Sequence, residues 1–511
     1  MGPGTFAVPM TMHADNRKRL AEDMTKAGAS GLILLQGGSE QMRNDSDHEL
    51  LFRQESYFQW LFGVKEPEWF GAVDLATGKG HLFMPRIAKQ LSAWIGRVVP
   101  PREFKAMYAI DEIHYADELA TFAKAYEGKT FHLLHGLNSD SGSYAKPASF
   151  DGIEAYTTDQ KTLFPVLAES RVSKSPAELE LMKYVSKVTS DAHVEVMRKA
   201  APNQPEYMHE ALFKHHIYVN GGCRNTAYTP ICACGPSSAV LHYGHAGAPN
   251  ARIMTKDDIA LLDMGAEYHC YCSDITCSFP MSGTFSADQK MIYEGVLAAV
   301  KAVMDMMKPG TDWADCHRIA ERTILEHLKA GGVVTGDIDE MLKNNLAGMF
   351  MPCGLGHFIG LDTHDVGGYL AGHPERITAK GPYGIKKLRT ARILKESMCL
   401  TVEPGIYFVD DLMDLMLETP DQAKFLVKDR LAHFRGFGGV RIEDVVTVTA
   451  TGIKNYTMTP RTCEEIESVM GGGQWPPEYD LASWLCRDWD TDIPTEKKAY
   501  KPSRASLMDM M

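Results

Sequence analysis

The chain of 511 residues lacks any apolar run approaching the roughly 20 residues that a membrane-spanning helix needs. It also lacks an excess of positive charge, since 53 basic and 66 acidic side chains give a formal net charge of −13. Such a balance argues against a nucleic-acid-binding surface. The start, MGPGTFAVPM, has neither the basic nor the apolar region of a signal peptide, and Phe6 stands where a myristoylation motif needs Ser or Thr. We therefore expect a cytoplasmic protein with no membrane or nucleic-acid partner.

Cysteine occurs eleven times, an odd number, and no two cysteines have the Cys-x-x-Cys spacing of redox and zinc motifs. Cys232 and Cys234 are separated by one residue, as are Cys270 and Cys272, so each pair would face one side of a strand. We expect reduced thiols in a hydrophobic core rather than disulfides or a zinc cluster.

The composition, 44% hydrophobic and 23% charged, is that of a globular protein, and the length is too great for one core. Alternating strand and helix patterns predict a small α/β domain over residues 1–172. Ser175, Pro176 and Glu178 have the pattern of a helix start with a capping box, and predict a second domain over residues 173–470. Glycine and proline then become frequent, which indicates a tail over residues 471–511.

Hydrophobic periodicity predicts the individual elements. In the first domain the predicted strands are 31–35, 71–75, 81–84 and 131–134, and the predicted helix is 17–27. In the second domain the predicted helices are 206–218, one from 286 to 308, and 313–330. The predicted strands there are 225–234, 259–279, 398–403, 407–409 and 439–449.

Five side chains of the second domain have the chemistry of metal ligands. Asp263 ends the apolar run 259–262 and Asp274 follows after a short turn, so both carboxylates could point to one face of a sheet. His357, Glu403 and Glu443 also follow or interrupt apolar segments, where a charged side chain is costly unless it is paired or bound to a cation. Four carboxylates and one imidazole form an oxygen-rich set with enough donors for two divalent ions. The set favours manganese, with cobalt, iron or zinc as alternatives.

The segments around these residues resemble the metal-site segments of the pita-bread metallopeptidases, and among them most closely those of the Xaa-Pro dipeptidases. The segments are LLDMGAEYHCYCSDITCSFP, GLGHFIGLDTHDVGG, LTVEPGIYF and FRGFGGVRIEDVV, with FRQESYFQWLFGVKEPEWFG and HYGHAGAPN before them. The resemblance implies an α+β fold in which a pita-bread domain, a curved antiparallel sheet with outer helices, follows a smaller α/β domain. It further implies that the five residues ligate a dinuclear metal site, and that the protein is a homodimer in which Trp94 reaches the partner's site.

The resemblance also implies a reaction, the hydrolysis of dipeptides with a carboxyl-terminal proline by a hydroxide bridging the two metal ions. Glu403 would be the general base, and His242 and His364 would contact the substrate near the scissile carbonyl and the proline. Arg389 would bind the substrate carboxylate through its planar fork, which restricts the enzyme to dipeptides. The other implied site positions are Tyr228 and Tyr407. Arg441 lies two residues before Glu443 and faces the same side of a strand, so we expect it to orient the ligands or the substrate, whereas we expect Arg392 to be a surface charge.

One position departs from the family pattern. Cys353 stands four residues before His357, where the family usually has a histidine. A thiol cannot replace an imidazole as a hydrogen-bond donor of similar reach, so altered specificity, a reduced rate and a compensating rearrangement are all compatible with the sequence.

Two other functions fit the same residues. The first is an aminopeptidase P that removes the first residue from longer Xaa-Pro peptides, and the second is a pita-bread binding protein that has lost catalysis. The segment 388–392 and the FRQES stretch favour the dipeptidase over the aminopeptidase. The complete ligand set argues against the binding protein.

Overall fold

The computed structural model describes residue 2 and residues 4–489, and the chain divides into two compact units. The smaller unit comprises Val8–Ser173 with Leu370–Gly372, and the larger unit comprises the rest. The last part of the predicted tail, residues 490–511, lies outside the described residues. Among the described helices, none has the length and apolar character required to cross a membrane.

A six-stranded mixed sheet with the strand order β4-β3-β2-β1-β5-β6 forms the centre of the smaller unit. Its strands are β1 (Leu32–Gln36), β2 (Phe70–Asp74), β3 (Gly80–Met84), β4 (Glu112–Tyr115), β5 (Thr130–Leu133) and β6 (Thr157–Asp159). The first three strands pair antiparallel, and the other three run parallel to their neighbours. The four predicted strands of this domain and the hairpin between β2 and β3 are confirmed. At the hairpin turn Gly78 has φ +70, a conformation that glycine adopts without strain.

Six helices belong to the described part of the smaller unit: α1 (Thr11–Lys26), α2 (Ser56–Phe62), α3 (Ser92–Ile95), α4 (Pro101–Met107), α5 (Leu119–Ala123) and α6 (Leu163–Val172). Helix α1 begins six residues before its predicted start, at a segment that carries polar side chains. His13 and Asn16 are buried there, and both bond the Trp60 carbonyl oxygen, at 3.1 and 3.0 Å. Both side chains are buried polar groups that find a hydrogen-bond acceptor in a residue distant along the chain. The helical period of hydrophobic residues therefore could not predict this first part of α1.

The larger unit opens with α7 (Pro176–Lys199), whose predicted capping box is confirmed. Glu178 N donates to Ser175 Oγ at 3.3 Å, and Ser175 N donates to the Glu178 carboxylate at 2.8 Å. The helices that follow are α8 (Tyr207–Gly221), α9 (Ala287–Met306), α10 (Trp313–Ala330), α11 (Ile338–Lys343), α12 (Ala347–Phe350), α13 (Asp410–Glu418), α14 (Pro420–Ala423), α15 (Lys428–His433) and α16 (Cys463–Met470). Helix α10 has its predicted bounds.

The sheet structure of the larger unit consists of short antiparallel ladders, β12-β9-β8, β11-β10-β7, β13-β16-β17 and β14-β15. Their strands are β7 (Asn225–Thr226), β8 (Ile231–Cys234), β9 (Ile259–Asp263), β10 (Ala266–Tyr268), β11 (Tyr271–Cys272), β12 (Thr276–Pro280), β13 (Cys399–Val402), β14 (Gly405–Phe408), β15 (Gly438–Arg441), β16 (Asp444–Val448) and β17 (Ile453–Asn455). The stretch 259–279, predicted as strands joined by a short turn, is divided into four strands, and the strand predicted over 439–449 is interrupted. Both interruptions occur beside carboxylates that the sequence singled out as ligands, Asp263 and Glu443.

Arg392 is buried, and its prediction as a surface charge is wrong. The side chain is only 2% exposed, and Nη1 donates to the Gly367 carbonyl oxygen at 2.9 Å. The acceptor is a backbone carbonyl that only the tertiary fold brings close to the guanidinium, so the local sequence gave no reason to expect the burial of this charge.

Residues 471–489, the described part of the segment expected to be a tail, pack within the larger unit. Trp475 Nε1 donates to the Met458 carbonyl oxygen at 2.8 Å. The Arg487 guanidinium lies 5.2 Å from the Trp475 ring and 5.4 Å from the Trp489 ring. The segment is thus held by aromatic and cation–π contacts.

Candidate metal centre

The five predicted ligands converge on one cavity of about 510 Å³ in the larger unit. The lining residues include all five, Asp263, Asp274, His357, Glu403 and Glu443, and also Tyr228, His242, His364 and Arg441. Each of these side chains comes from the end of a strand or from a connecting loop. Because the strands are short, many strand ends lie close together around the cavity.

Asp263 and Asp274 are brought together by the pairing of β9 with β12, in which Asp263 lies opposite Thr276. The Tyr228 hydroxyl lies between the two carboxylates, hydrogen-bonded to Asp263 Oδ1 and, at 2.6 Å, to Asp274 Oδ1. A hydroxyl has one proton and can donate to only one of them at a time. The pair therefore needs a further positive group, either a proton or a cation.

His357 faces two other carboxylates of the set. Its Nε2 lies 3.4 Å from Asp274 Oδ2 and 3.4 Å from Glu403 Oε1. Its Nδ1 lies 2.9 Å from the Phe358 carbonyl oxygen, so a neutral ring carries its proton on Nδ1 and directs the Nε2 lone pair into the cavity. Ligand atoms of Asp274, His357 and Glu443 lie within 4.8 Å of one another, close enough to share one cation.

The backbone beside His357 is held by a buried tryptophan. Trp313, the first residue of α10, is fully buried, and its Nε1 donates to the Gly356 carbonyl oxygen at 3.3 Å. The backbone at His357 is thus held from the helix side as well as from the sheet side.

Two threonines that sequence reasoning missed orient the glutamates. Thr276 Oγ1 donates to Glu443 Oε2 at 2.7 Å, and Thr401 Oγ1 donates to Glu403 Oε1 at 3.3 Å. Thr401 Oγ1 also accepts the backbone N–H of His357 at 3.1 Å. Thr401 lies two residues before Glu403, and the period of a strand could have identified it, whereas Thr276 bonds a glutamate 167 residues away.

Arg441 is the cation that the structure places against the set. It donates to Asp263 Oδ2 at 2.5 Å, to the Tyr407 hydroxyl at 2.7 Å and to Thr276 Oγ1 at 3.1 Å. The guanidinium therefore orients the Asp263 carboxylate and also holds the Tyr407 hydroxyl.

The protonation of the carboxylates reflects their crowding. Burial raises the pKa of Asp263 to about 7 despite the opposing effect of Arg441, and burial also raises the pKa of Glu403. Burial, followed by the neighbouring Asp274 and Glu403, raises the pKa of Glu443 well above its ordinary value. Burial would raise the pKa of Asp274 too, but the bonds from His357 and Tyr228 bring it down to about 2. Four carboxylates cannot all be ionised here without added positive charge, which a divalent cation would supply.

Three more histidines line the cavity, His242, His245 and His364, and the pKa values of His242 and His364 are lowered. Burial, and then the charge of His357, lower the pKa of His364 to about 2. Burial, Arg441 and Arg389 lower the pKa of His242. The rings of His364 and His357 meet edge to face with centroids 4.5 Å apart. Neutral imidazoles at this position can donate or accept hydrogen bonds to a bound molecule.

Arg389 and Cys353 differ in their relation to the cavity. Arg389 is not among its lining residues, although its charge acts on His242, His364 and Glu403.

Cys353 lines the cavity, and burial raises the pKa of its thiol to about 12. The thiol therefore stays protonated and packs against an apolar cluster of Ile231, Ala233, Leu261 and Tyr407. It cannot supply the titrating group that a histidine would.

The sequence pattern of metallopeptidase family M24 matches residues 180–450, and that of the aminopeptidase P amino-terminal domain matches residues 13–133. The chain belongs to metallopeptidase family M24. Among its relatives, human Xaa-Pro dipeptidase is 48% identical over 475 residues, which cover 92% of this chain and 96% of the human protein. A probable Xaa-Pro aminopeptidase of Verticillium alfalfae is 34% identical over 466 residues, covering 89% of this chain and 96% of that protein.

A solved structure, that of aminopeptidase PepP from Pseudomonas aeruginosa, is similar with a TM-score of 0.74 and 29% identity. The similarity covers 92% of this chain and 99% of that one. The α+β, pita-bread fold and the family expected from the sequence are confirmed by these comparisons.

Proposed function

We propose that the protein is a metal-dependent Xaa-Pro dipeptidase, which hydrolyses dipeptides that end in proline. The observation that carries the proposal is the convergence of four carboxylates and one imidazole on a single cavity. The higher identity to human Xaa-Pro dipeptidase, 48%, than to the fungal aminopeptidase, 34%, supports a dipeptide rather than a longer peptide as substrate.

The residues that would hold two divalent ions are Asp263, Asp274, His357, Glu403 and Glu443. An oxygen-rich set with one imidazole suits manganese, with cobalt, iron or zinc able to substitute. When bound, such ions lower the pKa of water toward neutrality and polarise a carbonyl as Lewis acids. Arg441 and the two threonines would keep the carboxylates in place when the cations enter.

The remaining residues would bind the substrate and move protons. Glu403 would act as general base, because its raised pKa brings a carboxylate closer to the pH at which it exchanges protons. His242 and His364, both neutral, would hydrogen-bond the peptide near the scissile carbonyl and the proline. Arg389 would bind the terminal carboxylate of a dipeptide, and Tyr228, whose hydroxyl can donate to one carboxylate of Asp263 and Asp274 at a time, would line the substrate site.

We also propose that the protein is a cytoplasmic homodimer. Trp94 and Ile95 on α3 are 81% and 57% exposed, and a second copy of the chain would cover them. Light scattering of the wild type and Trp94→Ala tests the dimer, and a monomeric wild type would contradict it. Cys232 and Cys234 are buried as thiols, which supports a reducing compartment, and cell fractionation tests the location.

The proposed activity is tested with a panel of peptides and metals. The metal-stripped protein should regain activity on Xaa-Pro dipeptides when manganese is added, and should cleave an Xaa-Pro-Pro tripeptide at least tenfold less efficiently. Asp274→Asn serves as the control, because it keeps the shape of the side chain and removes a ligand charge. It should abolish cleavage and leave the thermal unfolding transition cooperative.

Other outcomes would lead to a different function. Preference for the tripeptide would indicate an aminopeptidase P. Failure to bind manganese, with no cleavage of either peptide, would indicate a binding protein without catalysis.

A further inference from the structure

The larger unit contains an ion pair withdrawn from solvent and separate from the five proposed ligands. Lys174 Nζ donates to Asp365 Oδ2 at 2.7 Å, and both side chains are only 1% exposed. Taking two charges out of water is costly, and a buried pair is weak evidence for a gain in stability. The place of the ion pair in the fold therefore says more about its role than its contribution to stability does.

Asp365 directly follows His364, one of the two neutral histidines of the cavity. Its backbone N–H donates to the Phe358 carbonyl oxygen at 2.8 Å, so the loop from His357 to His364 is closed at its base. A methyl group added at Gly360 within this loop would lie 2.3 Å from Asp365 Oδ2 and 2.9 Å from Lys174 Nζ. The ion pair thus packs directly against the backbone of the loop.

Lys174 itself is attached to the sheet. Its backbone N–H donates to the Ser397 carbonyl oxygen at 2.9 Å, and the Ser397 N–H donates to the Val448 carbonyl oxygen at 2.8 Å. Val448 is the last residue of β16. The side chain of Lys174 therefore connects a loop to a strand-bound segment, whereas loop backbone by itself is the more mobile part of a fold.

We propose that Lys174 is a positioning residue, which holds Asp365 and through it sets the place of the His364 imidazole in the cavity. The inference rests on the proposed function, in which His364 contacts the substrate. Lys174 lines no part of the cavity, so its effect on the reaction would be exerted through His364.

The test replaces the ion pair by a neutral pair of similar shape, Lys174→Met with Asp365→Asn, because removing one partner alone would leave a buried charge. With activity normalised to bound manganese, kcat/KM for an Xaa-Pro dipeptide should fall at least tenfold, since small displacements of a contacting group are costly to rate. In a His364→Ala background the same two changes should have less than a twofold effect. If the neutral pair fails to fold, Lys174→Arg replaces it, with the same expected loss and the same dependence on His364.

The matched control is Lys183→Met. Lys183 also forms a shielded pair, with Asp488 at 3.2 Å and side chains 6% and 12% exposed, but it does not line the cavity. The variant Lys183→Met should have a lower unfolding temperature than the wild type and the same kcat/KM per bound manganese. Equal losses of activity in the wild-type and His364→Ala backgrounds would overturn the inference, as would wild-type kinetics in the folded neutral pair. Absence of cleavage by the wild type would instead contradict the proposed function itself.

Discussion

At the scale of single residues, the proposed role of Arg389, binding of the terminal carboxylate of a dipeptide, can be tested by substitution. Arg389→Met removes a guanidinium able to bind a carboxylate through two hydrogen bonds, each worth about 1.5–3 kcal/mol when a charged group is involved. We expect KM for an Xaa-Pro dipeptide to rise at least tenfold, with a smaller change in kcat, as measured by steady-state kinetics.

The control substrate for Arg389 is the same dipeptide with its carboxyl group amidated. It should be a poor substrate for the wild type and equally poor for Arg389→Met, whereas the exposed neighbouring change Lys386→Met should alter neither substrate. If Arg389→Met lowers activity on both substrates by the same factor, the residue does not bind the carboxylate.

The chemistry of the cavity was accessible from the sequence, because charged residues at the ends of apolar segments require a partner or a cation. All five predicted ligands line one cavity. The partners of those ligands were harder to predict, since Thr276 bonds Glu443 across 167 residues. The burial of Arg392 was missed for the same reason, because its acceptor belongs to a loop 25 residues away.

At the scale of elements, the break between β9 and β10, which consists of Met264 and Gly265, lies beside two of the proposed ligands, Asp263 and Asp274. A methyl group added at Gly265 in this break would lie 1.8 Å from the Ser273 carbonyl oxygen and 3.0 Å from the Tyr228 ring. Gly265→Ala should therefore push apart the segments that carry Asp274 and Tyr228. We expect a loss of about 3 kcal/mol or more in the free energy of unfolding, measured by denaturant titration, and weaker manganese binding.

Gly452→Ala is the matched control for that change, because a methyl group there would meet nothing within 4 Å. It should leave both the free energy of unfolding and manganese binding within the error of the wild type. Wild-type manganese affinity in Gly265→Ala would mean that the break does not set the positions of the ligands.

Helix starts were predictable because a capping box is a local chemical pattern, and those at Ser175 and Ser286 are both formed. Strand ends were less predictable. The sequence predicted one short turn between Asp263 and Asp274, but this stretch also contains the short strands β10 and β11, and the backbone at Gly265 passes close to Ser273. Such a close approach depends on how neighbouring strands pair, and the periodicity of hydrophobic residues along the chain does not indicate it.

At the scale of the whole molecule, stability without metal should depend on pH through the carboxylates of the cavity. The pKa of Asp263 is raised from 3.8 to about 7, so the folded protein binds more protons than the unfolded chain, and stability falls as pH rises through this range. Cations compete with those protons. Histidines with lowered pKa values bind more protons in the unfolded chain and oppose this effect around their ordinary pKa of 6.5, so the prediction concerns the difference that manganese makes rather than the stability itself.

We therefore expect manganese to raise the unfolding temperature of the metal-stripped protein more at pH 8 than at pH 6.5, as measured by scanning calorimetry. Asp263→Asn should reduce the difference between the two pH values, because it removes one of the titrating groups. An increase in unfolding temperature that is the same at both pH values would show that these carboxylates are not protonated in the metal-free state.

The fold class was predictable from the family resemblance, but the strand order of the smaller unit was not. Its central strand β1 pairs with β2, which is near in sequence, and with β5, which lies about a hundred residues further along. Only tertiary packing selects the second neighbour, so hydrophobic periodicity predicts the strands and leaves their order open.

The indole of Trp313, hydrogen-bonded to the carbonyl that precedes His357, gives the protein an intrinsic fluorophore beside its proposed cation site. Since an indole responds to the electric field of its surroundings, the arrival of divalent ions should shift the emission of Trp313, and the same measurement on Trp313→Phe gives the background from the other six tryptophans. Stopped-flow fluorescence could then follow cation loading in real time, without an added dye and without turnover of any peptide.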